Sequence, residues 1–354
     1  MRKLKRETVA LLEDIERRID PETEEKLDAR WLRFLNGECE DDIFRPWRDK
    51  DRLTPPGTEL VAVNINDALA DFDAMIVSEM NGVSWTLGGS GSNLAVRANY
   101  ESAILATVFG AEIFEMPRST NTLPTARSFG STDRIREMID RGVPDLNGGF
   151  GARVFACGEI FREIGEAYPK IGRYVSVYHP DLQGALDICE LLWGGEMFYA
   201  MYDEPELVHA AMALITETYA RFMDKWFELF PCGTEMNAHW SHIRHKGRIA
   251  LRCDSAMNLS PELYKEFAVP YDKILLERYG GGIMHFCGRG DHYISHLCAQ
   301  PMLTGVNMSQ PHLNDMEIIY QNTVDRGIPL LGFSPDRARA DAARGFRRRM
   351  QVLP

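Results

Sequence analysis

From about residue 58 onward the chain alternates strand-like and helix-like segments, and this alternation limits the folds open to it more than any other feature. Leu60-Val61-Ala62-Val63-Asn64 reads as a strand and Asp67 to Met80 as a helix. Leu94 to Ala98 reads as a second strand, followed by apolar Ile104 to Phe109, and Ile113 to Met116 as a third. A Gly/Pro-rich stretch from about 117 to 150 interrupts the pattern, with a helix over 132–141. It resumes with a strand at Tyr174 to Tyr178, a helix over 184–193 and a long helix from Pro205 to Leu229. Glu235 to Trp240 and Arg248 to Cys253 are two further strands. Ser260-Pro261, a cap followed by proline, opens a helix that reaches Tyr279. A strand then ends at His285-Phe286-Cys287, with a helix from about Asp291. The strand Leu303 to Met308, the helix Asn314 to Asp325 and the strand Ile328 to Phe333 follow, and Ser334-Pro335 opens a final helix.

Strands joined by helices imply a parallel sheet with crossover connections. About eight such units fit a (β/α)8 TIM barrel better than an open sheet. No Gly-x-Gly-x-x-Gly fingerprint follows the first strand, which argues against a dinucleotide-binding fold. The expected organisation is an N-terminal helical extension over residues 1–55, packed on a barrel over residues 56–354.

In such a barrel the active site forms at the carboxyl ends of the strands. Those ends carry, in order, Asn64 and Asn66; Arg97, Asn99 and Glu101; His179, Asp181 and Gln183; His239 and His242; Arg252 and Asp254; His285, Cys287 and Arg289; Asn307 and Gln310; and Ser334. Taken singly, an Asn, Asp or Ser after a strand is more often a helix cap than a catalyst. Taken together they read as a site. Asp254, His239 and Arg289 are the catalytic candidates. Arg97, Asn99, His179, Asp181, Gln183, Asn307 and Gln310 are the candidates for substrate contact.

His285 and Cys287 stand apart. Residues i and i+2 of a strand share a face, so imidazole and thiol are aimed at one point. Zinc accepts both ligand types. Two ligands do not make a site, and the pair alone is also compatible with a core position. Cys298 lies about seven residues into the following helix, roughly 10 Å from the strand end. His239, Asp254 or a residue near Ser334 is better placed to complete a ligand set. The spacing of His239, His242 and His245 fits neither a strand face nor a zinc helix, so the expectation is a polar loop with His239 alone near the centre. Gly88-Gly89-Ser90-Gly91-Ser92 reads as a flexible loop, and Arg347-Arg348-Arg349 as a solvated helix end.

The net charge of −12 argues against general affinity for nucleic acid, which needs a basic surface. No stretch approaches the roughly 20 apolar residues of a membrane span. The basic start Met1-Arg2-Lys3-Leu4-Lys5-Arg6 is followed by no apolar block and is not a secretory signal. Seven scattered cysteines then read as free thiols in a reducing cytoplasm.

The run Asp254-Ser255-Ala256-Met257-Asn258-Leu259-Ser260-Pro261-Glu262-Leu263-Tyr264 through Pro270-Tyr271, with Gly281-Gly282 and His285-x-Cys287-Gly288, resembles the uroporphyrinogen decarboxylase superfamily. Tyr202-Asp203-Glu204-Pro205-Glu206-Leu207-Val208 resembles its middle section. The resemblance covers residues 170–335 and little of the first third, and it implies a (β/α)8 barrel. The decarboxylases themselves carry an N-terminal Arg-Gln-Ala-Gly-Arg run that this chain lacks; Arg45, Arg48 and Arg97 are its nearest substitutes. The cobalamin-linked methyltransferases of the superfamily are similar at His285 and Cys287, which there bind zinc. Their third ligand is a cysteine near the last strand, where this chain reads Leu331-Gly332-Phe333-Ser334-Pro335.

The resemblance therefore implies a zinc-dependent methyltransferase acting with a corrinoid protein on a small thiol, hydroxyl or methoxy compound. The alternative is a cofactor-free decarboxylase of a porphyrinogen-like or aromatic carboxylate, and a non-catalytic binding protein is the third reading. The partners in view are a small-molecule substrate, a corrinoid protein and a second copy of the chain as a homodimer.

Overall fold

The computed structural model describes residues 4–39, 43–89, 91–100, 102–345 and 349–352. Its strands are β1 (Ile43–Phe44), β2 (Ala95–Val96), β3 (Glu112–Phe114), β4 (Thr125–Arg127), β5 (Ser176–Val177), β6 (Asn237–His239), β7 (Ile243–His245), β8 (Ile249–Arg252), β9 (Gly282–Phe286), β10 (Leu303–Met308), β11 (Leu330–Phe333) and β12 (Met350–Val352). Six of them form one parallel sheet in the order β1-β12-β11-β10-β9-β8. β2 and β5 form a separate parallel pair, while β3–β4 and β6–β7 are antiparallel pairs.

The sheet is buried on both faces, as parallel sheets are. Side chains alternate between two clusters with the strand period of two. On one face Ile249, Leu251, Met284, Phe286, Val306 and Leu330 join the large core beneath the helices. On the other, Phe44, Ala250, Ile283 and Leu331 pack with Ile243 and with Trp31, Phe34 and Leu35 of the helix Pro21–Leu35. Each fully buried Leu, Ile or Phe contributes about 1.5–3 kcal/mol. Along this second face the apolar Ala250 and Ile283 give way to Arg252 and His285, so the sequence itself grades the face from core to site.

Among the described residues no continuous ladder closes the expected ring. Between β5 and β8 the tie is a side chain: the Ala250 N–H donates to Nε2 of His179 at 2.9 Å. Beside β2, Asn93 donates its N–H to the carbonyl of Ser241 and its Nδ2 to that of Ile243, both at 2.9 Å, which fastens the β6–β7 hairpin there.

The structure departs from the sequence pattern in several places. Leu60 to Asn64 forms no strand, and Val61 is exposed. The helix expected over Asp67 to Met80 is two helices, Ile65–Ala70 and Phe72–Gly88, because the Asp71 side chain accepts the Asp73 N–H and starts the second. The helix from Ser260 to Tyr279 breaks at Ala268 into Pro261–Phe267 and Val269–Arg278, where Pro270 has no N–H to donate. Glu235 to Trp240 yields only β6, which folds back on β7 instead of joining the parallel sheet. Residues 4–55 supply two helices and also β1, an edge strand of the main sheet.

Gly247 makes the turn from β7 into β8 with φ +78°, and a Cβ there would stand 1.9 Å from the carbonyl carbon of Gly281. Only glycine lets these two backbones pass.

Candidate metal centre

Register builds the centre. Arg252 of β8 stands opposite His285 of β9, and His285 stands opposite Asn307 of β10. Three neighbouring strands thus deliver polar side chains at one level, just above the apolar positions of the same face.

Asn307 fixes His285. Its Nδ2 donates to the carbonyl of Leu331 at 2.6 Å, so its Oδ1 faces the imidazole. Oδ1 lies 2.5 Å from Nδ1 of His285 and can only accept, which places the ring proton on Nδ1. Nε2 is then a lone pair, 3.4 Å from Sγ of Cys287 and 3.6 Å from Oδ1 of Asp254. Donor atoms of Asp254, His285 and Cys287 all lie within 4.8 Å of one another. Zinc bonds of about 2.0–2.3 Å at tetrahedral angles put ligand atoms about 3.3–3.6 Å apart, so the Nε2 distances fit.

Asp254 sits just past β8 and is held from two sides. Its Oδ1 accepts the Cys287 N–H at 2.7 Å, and its own N–H donates to Asp187 at 3.0 Å. Asp187 also accepts the Ser255 N–H at 2.8 Å. Burial, then the charge of Asp254, pushes the Asp187 carboxyl up to about 7. Burial holds the His285 imidazole below its ordinary value and pushes the Cys287 thiol up. Both effects keep these two groups neutral when no cation is near.

A cavity of about 430 Å³ opens beside the cluster, lined by Trp240, His242, His285, Asn307, Ser309 and Ser334 among others. Trp240 meets the His285 ring edge-on at 5.3 Å and stacks on His242 at 5.8 Å. Trp240 and Ser309 are site residues that the strand-end reading did not find. Trp240 arrives on the β6–β7 turn, with φ +54°, which local pattern does not reveal. His242, expected in a plain loop, lines the cavity with its pKa lowered by burial to about 4.

A second polar cluster joins β2, β5 and β8. Asp181 Oδ2 takes both Arg97, at 2.8 Å, and Arg252. The Arg252 guanidinium lies over the Trp240 ring at 5.0 Å, linking this cluster to the cavity wall. Glu79 accepts the Arg97 N–H and Nδ2 of Asn99, each at 3.0 Å, and burial raises its carboxyl pKa. Oδ1 of Asp181 and Oε1 of Gln183 are buried with no hydrogen-bond partner.

The remaining candidates lie apart. Both ring nitrogens of His179 are engaged within the protein, Nδ1 with the carbonyl of Pro180 at 2.7 Å and Nε2 with Ala250. His239 is fully buried with neither nitrogen hydrogen-bonded, its ring 4.5 Å from that of Trp240. Gln310 accepts the Gly288 N–H at 2.6 Å and braces the loop after Cys287. Arg289 is exposed and donates to Asp291 at 2.8 Å. Glu101 and the arginines 347 and 348 lie outside the described residues, as does Ser90 of the glycine-rich stretch.

No helix among the described residues is long and apolar enough to cross a membrane. No family model matches the sequence, and no curated protein matches it. The fold is similar to that of a solved structure described as a methyltransferase from Methanosarcina mazei, with a TM-score of 0.63 and 16% sequence identity over 92% of each chain. At that identity the likeness shows the fold alone, a mixed α/β architecture built on a parallel six-stranded sheet.

Proposed function

We propose that this chain is a zinc-dependent methyltransferase of the uroporphyrinogen decarboxylase superfamily, acting with a corrinoid protein on a small thiol, hydroxyl or methoxy compound. The observation that carries the reading is the meeting of Asp254, His285 and Cys287 beside a cavity, on a scaffold similar to that of a named methyltransferase. The two parallel pieces of sheet are then arcs of one (β/α)8 barrel over residues 56–354, preceded by the extension 1–55. Seven cysteines without a disulfide support a cytoplasmic setting.

Asp254, His285 and Cys287 would hold the cation, with Asp254 in the place of the missing third cysteine. Zinc, when bound, lowers the pKa of a thiol or hydroxyl that shares its site, leaving a nucleophile at neutral pH. Asn307 presents the lone pair of His285, and Asp187 seats the Asp254 backbone. Trp240 walls the cavity and shields the reacting group from water. His239 packs against Trp240 behind the cavity wall, where burial keeps it neutral. Arg97, Asp181 and Arg252 form a buried ion cluster that backs the cavity wall through the contact of Arg252 with Trp240, and Gln310 braces the loop after Cys287.

Metal analysis tests this reading directly. The purified chain carries about one zinc, and His285→Ala, Cys287→Ala and Asp254→Ala each release most of it. Methyl transfer from methylcobalamin to a small thiol falls with it. A folded chain that takes up no zinc on dialysis overturns the reading.

Cofactor-free decarboxylation of a porphyrinogen-like or aromatic carboxylate is the second reading, favoured by the closeness of Arg97 and Arg252. Against it, both guanidinium groups already share Asp181. Metal-independent loss of carboxyl groups from uroporphyrinogen would move the assignment there.

A further inference from the structure

A large cavity lies away from the metal centre, beside β5 and the start of β8. We propose that it binds an anionic small molecule with an apolar body. Its volume is about 630 Å³, within the range of about 300–1,000 Å³ typical of ligand pockets. It occupies the seam where β5 and β8 fail to pair. In β5 the N–H groups of Ser176 and Tyr178 donate to Leu94 and Val96, so the backbone of Val177 turns the other way, toward this gap.

Charge singles the cavity out. In a chain of net charge −12, its lining carries Arg162, Arg173, Arg244 and Arg248 against the lone carboxylate of Glu166. Arg162 pairs with Glu159 and Glu166, Arg173 with Glu25, and Arg244 with Asp28. Arg248 has no carboxylate partner among the described residues. Its Nε donates to the carbonyl of Tyr279 at 3.3 Å, and its guanidinium lies over the rings of Phe227 and Tyr279 at 5.2 and 5.5 Å. It is thus held rigid, partly desolvated and uncompensated, which is how an arginine is presented to a carboxylate, sulfonate or phosphate. Trp226, Phe230 and Phe161 supply the apolar wall against which a ligand body would lie.

Fluorescence titration tests this with two probes of like shape, the anionic 8-anilinonaphthalene-1-sulfonate and the neutral N-phenyl-1-naphthylamine. The sulfonate binds the full chain, and Arg248→Met weakens it about tenfold or more, the worth of one charge-assisted hydrogen bond. The neutral amine is unaffected by the same change. Equal sulfonate affinity in both proteins, or equal weakening of both probes, overturns the proposal. Should Arg248→Met fail to fold, alkylation of the unaltered chain by iodoacetamide decides. Cys232, which lines the cavity, is protected several-fold by saturating sulfonate probe, while Cys39 reacts at an unchanged rate. No protection of Cys232 overturns the proposal equally.

Discussion

Asn307 holds His285 in one tautomer: a 2.5 Å contact to Nδ1 on one side and a 2.6 Å bond to the Leu331 carbonyl on the other leave Nε2 as the free lone pair. Groups that orient a ligating histidine in this way are typically worth about 10–100-fold in metal affinity. On the proposed zinc reading, Asn307→Leu is therefore expected to weaken zinc by that factor while leaving Asp254, His285 and Cys287 in place. Competition with a chromophoric chelator measures it, and wild-type affinity in the variant would remove Asn307 from the centre.

Asp181 bridges two guanidinium groups in a site where its side chain is 2% exposed and those of Arg97 and Arg252 are 13% and 12% exposed. Removing one partner of a buried ion pair costs about 3–5 kcal/mol, because the charge left behind is uncompensated. Asp181→Ala should lose about that much in urea unfolding. The triple variant with Arg97→Met and Arg252→Met should regain most of it. A mild effect of Asp181→Ala alone would show that water reaches the arginines.

His179 is expected to matter for stability and not for the metal. His179→Ala orphans the buried N–H of Ala250, at a cost of about 1–3 kcal/mol. Zinc content should not change. Loss of zinc at unchanged stability would reverse that assignment.

Asp272 sets a pH dependence. Burial first, then the neighbouring Asp187 carboxyl, raises its pKa well above the ordinary range, with the Gln300 amide opposing. The titratable groups coupled to it, Cys253, Tyr219 and Tyr264, have pKa values raised by burial and stay neutral. A folded pKa above the unfolded one means a contribution that is complete below about pH 4 and is lost as pH rises through the folded value. Unfolding free energy measured against pH should therefore fall less steeply above pH 4 in Asp272→Asn. Identical slopes in the two proteins would show that Asp272 ionises freely.

The sequence revealed elements whose signals are local. The helices Thr132–Arg141 and Pro205–Leu229 lie where apolar spacing and the leading proline put them. His285 and Cys287 converge as their i, i+2 spacing requires, and Asp254 joins them from the preceding strand end. Pairing partners were not legible. Leu60 to Asn64 has a strand's composition but no edge to pair with, and β6 looks like a barrel strand until β7 is seen to fold back on it. β1 and β12 span two and three residues, too short for any periodicity to register.

The bonding of β1 to β12 ties residues 43 and 44 to residues 350 and 351. Whenever β12 leaves the sheet, β11 stands as a bare apolar edge, Leu330 to Phe333, open to any extended segment nearby. Detachment of that one short strand is thus a route to pairing between chains.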